Sequence, residues 1–108
     1  VINCPLPEGA GSKAFRAVME SHILPAVDRW APEFLLISAG FDAHKADPLA
    51  GMKLTEVDFS WVTERLCQLA SKHCQGRVVS CLEGGYDLEA LAACAVAHVN
   101  VLKEQTNG

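Results

Sequence analysis

No apolar run in this chain approaches the ~20 residues needed to cross a membrane, and no signal-peptide pattern opens it. Basic residues form no cluster, and a net charge of -4 argues against a nucleic-acid-binding surface. The five cysteines (Cys4, Cys67, Cys74, Cys81, Cys94) are odd in number and contain no CxxC pair. That speaks against a thiolate zinc site, and they read as buried free thiols of a reducing cytoplasm. There is no GxGxxG and no Lys-Ser/Thr partner, so Gly9 and Gly11 make a flexible turn and not a phosphate cradle. Internal repeats and low-complexity segments are also missing. The first residue is Val1 and not Met, from which a removed upstream segment is expected.

What remains is a globular composition: 108 residues, 50% apolar and 20% charged, enough for a single domain spanning 1–108. Val1–Leu6 reads as a short strand closed by Pro5 and Pro7. Ser12 is a fair N-cap for a helix to about Trp30, with Pro25 kinking it and Pro32 ending it. Thr55 opens a second helix with Asp58 in capping-box spacing, and Gly76 stops it. Arg77–Leu82 is a short β-branched run. The last helix covers about Leu88–Lys103, with Leu88, Leu91, Ala95, Val99 and Leu102 facing inward, before a polar tail. The order β-α-β-α-β-α predicts a three-layer αβα arrangement on a parallel sheet.

The stretch from Phe34 to Gly51, FLLISAGFDAHKADPLAG, organises the rest. Its uninterrupted apolar start suits a strand buried on both faces. Asp42, His44 and Asp47 follow within a few positions, beyond the carboxyl end of that strand, where open α/β sheets bind ligands. Asp42 reads either as a turn or capping residue or as a metal ligand. Asp47, before Pro48, resembles a turn opener, and His44 a loop histidine near solvent. Tyr86 stands in an equivalent place, after Gly84 and Gly85 at the end of the second strand. Its phenol either packs on the following helix or donates to a carbonyl oxygen and its oxyanion. Parallel strands put both loops on one rim. His22, His73 and His98 fall on or beside apolar helix faces and read as structural.

SAGFDAHKADPLAG followed by LEGGYDLEAL resembles the carboxyl-terminal part of the zinc-dependent histone deacetylase family, including class II-like bacterial members, acetylpolyamine amidohydrolases and acetoin-utilisation proteins. NCPLPEGAG and ILPAVDRWAPEFLLIS fit the same family, so the likeness covers nearly the whole chain. The resemblance implies a fragment of the arginase/deacetylase fold, with Asp42 as a ligand of the catalytic Zn2+. It implies that Tyr86 polarises the scissile acetyl carbonyl and that Gly84 and Gly85 shape its loop. The reaction implied is hydrolysis of an N-acetyl amine, acetyl-lysine or an acetylpolyamine, with release of acetate. The family's Asp-x-His ligand pair and His-His pair lie upstream in that pattern, and nothing in this chain supplies them. The isolated chain is therefore expected to be inactive, to bind no zinc alone, and to cover its exposed sheet as a homodimer.

Two other readings compete. One is a non-catalytic α/β binding or oligomerisation module with vestigial loops. The other is a small complete enzyme built on a local Asp42/His44/Asp47 metal site.

Overall fold

A computed structural model describes the backbone of residues 1–107 and the side chains of residues 1–105. Its elements run α1 (Ser12–Val18), a π-helical turn (Met19–Ile23), α2 (Leu24–Trp30), β1 (Leu35–Ala39), α3 (Glu56–Cys74), β2 (Val78–Leu82) and α4 (Leu88–Asn107). β1 and β2 pair in parallel, Leu35 opposite Val78 through Ala39 opposite Leu82. The α/β class and the parallel sheet stand.

The Pro25 kink takes a specific form. Proline has no N–H to donate and crowds the preceding turn, so the chain widens into the π turn just before it and resumes as α2. Ala31, left-handed at φ 53, closes α2. Ser12 does not cap α1: Gly11 holds that position, and the Ser12 hydroxyl donates instead to Asp58. At α3 the expected capping box forms, the Thr55 N–H donating to Asp58 Oδ2 at 3.0 Å. Asp58 is buried and also takes the Arg16 guanidinium. One carboxylate thus caps α3 and ties it to α1.

Val1–Leu6 is not a strand. Pro5 and Pro7 each remove a ladder donor, and the stretch that pairs lies just beyond them. There Gly9 N–H donates to Gly51 O at 2.7 Å and Lys53 N–H to Ala10 O at 2.8 Å.

Strand alternation decides where the core sits. Leu35, Ile37 and Ala39 point to the helices, where Ala39, Phe41, Leu54, Phe59 and Cys94 form the core with Phe15, Ile37, Leu91 and Ala95 against it. The other face carries Leu36 and Val79, paired across the strands, beside Ser38 and Cys81; all four are exposed, Leu36 at 71%. Among the described residues nothing covers that face, so this chain forms two of the three layers. α4 keeps part of its expected face, Leu91 and Ala95 packing against the core, but Ala90, Cys94 and His98 are its buried line, while Leu88 and Val99 are exposed. Ala90, Cys94 and His98 form an i, i+4, i+8 row on one side of α4, and the His98 ring is held there by its bond to Thr63 of α3. α4 continues beyond Lys103 to Asn107, and Gly108 lies outside the described residues.

Three of the cysteines, Cys67, Cys74 and Cys94, are buried as expected; Cys4 is half-buried. Cys81 is exposed, because it points to the bare face of β2.

Candidate functional site at the carboxyl ends of the strands

Two loops leave the same end of the sheet, and backbone hydrogen bonds lock them together. Glu83 N–H donates to Ala39 O at 2.9 Å, and Phe41 N–H donates to Gly84 O at 2.8 Å. Phe41 is the wedge. Its ring is buried, edge-on to Phe59 at 5.1 Å and to the His98 ring at 5.6 Å. Burying a ring of that size stabilises by roughly 1.5–3 kcal/mol. With Phe41 driven inward, the next residue, Asp42, is left at the rim.

The Asp42 carboxylate rests on glycine backbone. A Cβ at Gly84 would stand 2.9 Å from its Oδ1, 3.0 Å from its Cγ and 3.1 Å from its Oδ2, and a Cβ at Gly40 would stand 3.0 Å from Oδ1. Only residues without side chains leave this seat open. Asp42 is half-buried, and no described residue donates a hydrogen bond to its carboxylate. A carboxylate with both oxygens uncommitted suits a ligand of a divalent cation. No three His, Cys, Asp or Glu side chains gather to hold a metal among the described residues. Asp42 therefore fits as one ligand, not as a site.

Its two acidic-loop neighbours are committed elsewhere. His44 is not near solvent but buried, because its ring ties the loop down on both sides. Nδ1 accepts the Ala46 N–H at 3.0 Å, which leaves the Nε2 proton to donate to Glu56 at 3.0 Å. The Glu56 carboxyl is held below its usual range by its own backbone N–H at the start of α3 and by that ring. Asp47, 7% exposed, accepts Leu49 N–H on Oδ1 at 2.9 Å and Tyr86 N–H on Oδ2 at 2.8 Å. Burial pushes its carboxyl up, but the amides of Leu49, Tyr86, Asp87 and Ala50 outweigh that and hold it below the ordinary value. A local Asp42/His44/Asp47 metal site is thereby overturned: the His44 nitrogens and the Asp47 oxygens are already occupied.

Gly85, at φ +142, makes the turn before Tyr86, and a Cβ there would meet Leu91 Cδ1 at 2.9 Å. Tyr86 itself is 56% exposed, so its phenol is not packed away among the helices. Its backbone is fixed by Asp47 and its loop by Gly84. The structure thus brings Asp42, Gly84, Gly85 and Tyr86 to one rim. The role of Asp47 in joining the two loops went unseen in the sequence. Asp-Pro shows that a side chain can bond its own turn, but not that it reaches a residue 39 positions away.

The remaining histidines are structural where contacts define them. His98 Nδ1–H donates to the Thr63 hydroxyl, itself bonded to Phe59 O, and Nε2 accepts from Ser80 at 2.7 Å. This resembles a Ser-His pair, yet the ring is sealed under the sheet, and burial pulls its pKa down from 6.5. His73 bonds Asp28 at 2.7 Å, beside the Lys72–Asp28 pair. An apolar hollow of 430 Å³ lies beside Leu35, at the opposite end of β1 from the rim. No helix among the described residues is long and apolar enough to cross a membrane.

Comparison with known proteins agrees with this architecture. "Histone deacetylase 10, chloroplastic" of Oryza sativa subsp. japonica is 45% identical over 92 residues, covering 85% of this chain and 21% of that protein. "Histone deacetylase-like amidohydrolase" of Pseudomonas aeruginosa is 36% identical over 101 residues, covering 94% of this chain and 27% of that protein. The crystal structure of the HDA15 HD domain superposes with a TM-score of 0.78 at 35% identity, over 89% of this chain and 26% of that one. The chain thus spans about a quarter or less of the length of these relatives. The family profile for the histone deacetylase domain matches residues 1–102, and a match running through nearly the whole sequence leaves one conclusion: the chain belongs to the histone deacetylase domain family.

Proposed function

We propose that this chain is the carboxyl-terminal portion of a zinc-dependent deacetylase catalytic domain, acting on N-acetylated amines such as acetyl-lysine or an acetylpolyamine. Asp42 is the metal ligand it contributes, and Tyr86 the phenol that donates to the acetyl carbonyl and to the oxyanion formed on attack by water. Gly84 and Gly85 shape the loop between them. The observation that carries the reading is the Asp42 carboxylate, seated on Gly40 and on Gly84, two positions before the exposed Tyr86, with no hydrogen bond from any described residue. When bound, the metal supplies Lewis-acid polarisation of water and carbonyl. The chain's own residues do the rest: Asp42 brings negative charge to the rim, and Tyr86 presents a proton donor there.

On its own the chain lacks the other ligands and the general base that the family resemblance calls for, and it is expected to be inactive. The test supplies the domain segment that precedes it in the parent gene, read by sequencing upstream of Val1. The joined protein should hydrolyse an acetyl-lysine peptide in a chelator-sensitive way. Tyr86→Phe should lower kcat by ~10²–10³, as loss of one oxyanion donor does, and Asp42→Ala should abolish metal retention. Full activity in either variant refutes the assignment.

A second observation supports a further part of the reading. The bare sheet face bearing Leu36, Val79 and Cys81 is apolar, and both sheet edges are open among the described residues. Alone, the chain covers this face with a second copy in a two-fold dimer. Sedimentation of the 108-residue chain at rising concentration tests it, and a species that stays monomeric throughout overturns it.

A further inference from the structure

The phenol of Tyr86 is exposed, so side-chain packing does not aim it; whatever fixes its backbone does. The backbone has one buried, charged anchor. Asp47 lies at the end of the loop after β1, its own N–H donating to His44 O at 3.0 Å. One oxygen closes a turn on Leu49 N–H, and the other takes Tyr86 N–H from the loop after β2. The Asp87 and Ala50 amides face the same carboxylate. A buried anion receiving amides from two loops is a strong tie, because charge-assisted hydrogen bonds are shorter and stronger than neutral ones. The loop that carries Asp47 is itself pinned through His44 to Ala46 and Glu56. Just before Tyr86, the positive-φ turn at Gly85 gives the backbone a hinge with few restraints of its own.

The geometry points to Asp47 as the positioning residue of Tyr86: its carboxylate, fixed to the first loop, grips the Tyr86 N–H and sets where the phenol stands. This rests on the reading of Tyr86 as the carbonyl-polarising group. Asp47 touches no reacting atom. It acts through the backbone of its neighbour, and it also links the acid-bearing loop to the tyrosine-bearing one, so that Asp42 and Tyr86 keep their spacing.

The chain has a single tyrosine, so 15N-tyrosine labelling yields one backbone amide resonance, that of Tyr86. Hydrogen–deuterium exchange of this amide, and of the β1 and β2 amides in a uniformly 15N-labelled sample, is compared in the parent chain, Asp47→Ala and Asp47→Asn. Loss of the charged acceptor should speed exchange by about tenfold or more in Asp47→Ala. The effect should be smaller in Asp47→Asn, which keeps an acceptor oxygen, and amides of β1 and β2 should hold their rates in both. The order parameter of the 13C-labelled Tyr86 Cα should fall in the same sequence. A Tyr86 amide that exchanges at the parental rate in both variants overturns the inference. So does a rise shared equally by Tyr86 and the strand amides, which would make Asp47 a prop of the whole fold. Neither metal nor substrate enters this measurement, so an inactive joined protein counts against the catalytic reading and leaves the positioning result standing.

Discussion

Replacing Gly84 by alanine tests the seat of the Asp42 carboxylate. A Cβ there stands 2.9–3.1 Å from three atoms of that group, against an ordinary contact distance of 3.4 Å or more. The carboxylate must retreat by roughly 0.5 Å or rotate out of its well, which costs ~0.5–1.5 kcal/mol. Gly84 is not in the left-handed region, so alanine also brings a gain of ~0.4–1 kcal/mol by restricting the unfolded chain. The two effects nearly cancel in a single variant, and for that reason a double-mutant cycle with Asp42→Ala is the informative experiment. In the Asp42→Ala background the clash is gone while the unfolded-state gain is unchanged. The coupling energy is then the clash alone, ~0.5–1.5 kcal/mol, inside the range for residues in contact. With a urea m-value of ~1.5 kcal/mol/M, Gly84→Ala should move the unfolding midpoint ~0.3–1 M further down in the parent than in the Asp42→Ala chain. Equal shifts in the two backgrounds would mean that the carboxylate does not rest on Gly84, and the account of the rim would fail.

Acid should weaken the fold through His98, whose pKa burial holds below 6.5. Above 6.5 the ring is neutral folded and unfolded, and no penalty arises; as pH falls through 6.5 the unfolded chain takes the proton first, so stability drops, by at most ~1.4 kcal/mol per pH unit for one group. Urea midpoints between pH 7.5 and 5.5 should fall in the parent and flatten in His98→Gln; an equal fall in the variant would refute the assignment. Thiol labelling should separate the cysteines: Cys81, exposed on the bare face, reacts first, and Cys81→Ser should remove the fast phase. Cys94, pushed up to about 11 by burial and by the nearby Glu56 charge, should react only on unfolding. If two copies cover the bare face, the Cys81 rate should also fall as protein concentration rises.

What the sequence revealed was mostly short in range. The Thr55–Asp58 box, the two short apolar strand runs and the break at Pro25 are each decided by residues within one turn of one another, where the backbone's own geometry chooses the outcome. Asp58 shows where that stops. Its capping bond was legible, but its bonds to Ser12 and Arg16 join residues more than forty positions apart and carry no local signature. Asp47 and His44 failed in the same way: each looks like a loop residue until the fold brings it a partner. The shared rim of Asp42 and Tyr86 was legible because parallel strands deliver their carboxyl ends to one side, whereas the roles given to the two residues rested on the family resemblance.

The exposed aliphatics carry a different lesson. Apolar character says that a side chain should leave water, but not which surface receives it. Leu36 and Val79 lie in strands as expected, but the expected burial of β1 on both faces does not hold: among the described residues only the Ile37 face is covered. α4 shows the same disagreement, with Cys94 and His98 inside and Val99 outside. Both misfits lie on the outer side of elements whose inner side packs well. A pattern of surplus apolar residues on one side of well-formed elements is what a chain carries when its sequence is matched to more neighbours than it contacts. The relatives, of which this chain spans about a quarter or less, are long enough to hold those neighbours. The bare face and the Asp42 carboxylate, to which no described residue donates a hydrogen bond, are thus the two surfaces on which the proposed function places further contacts.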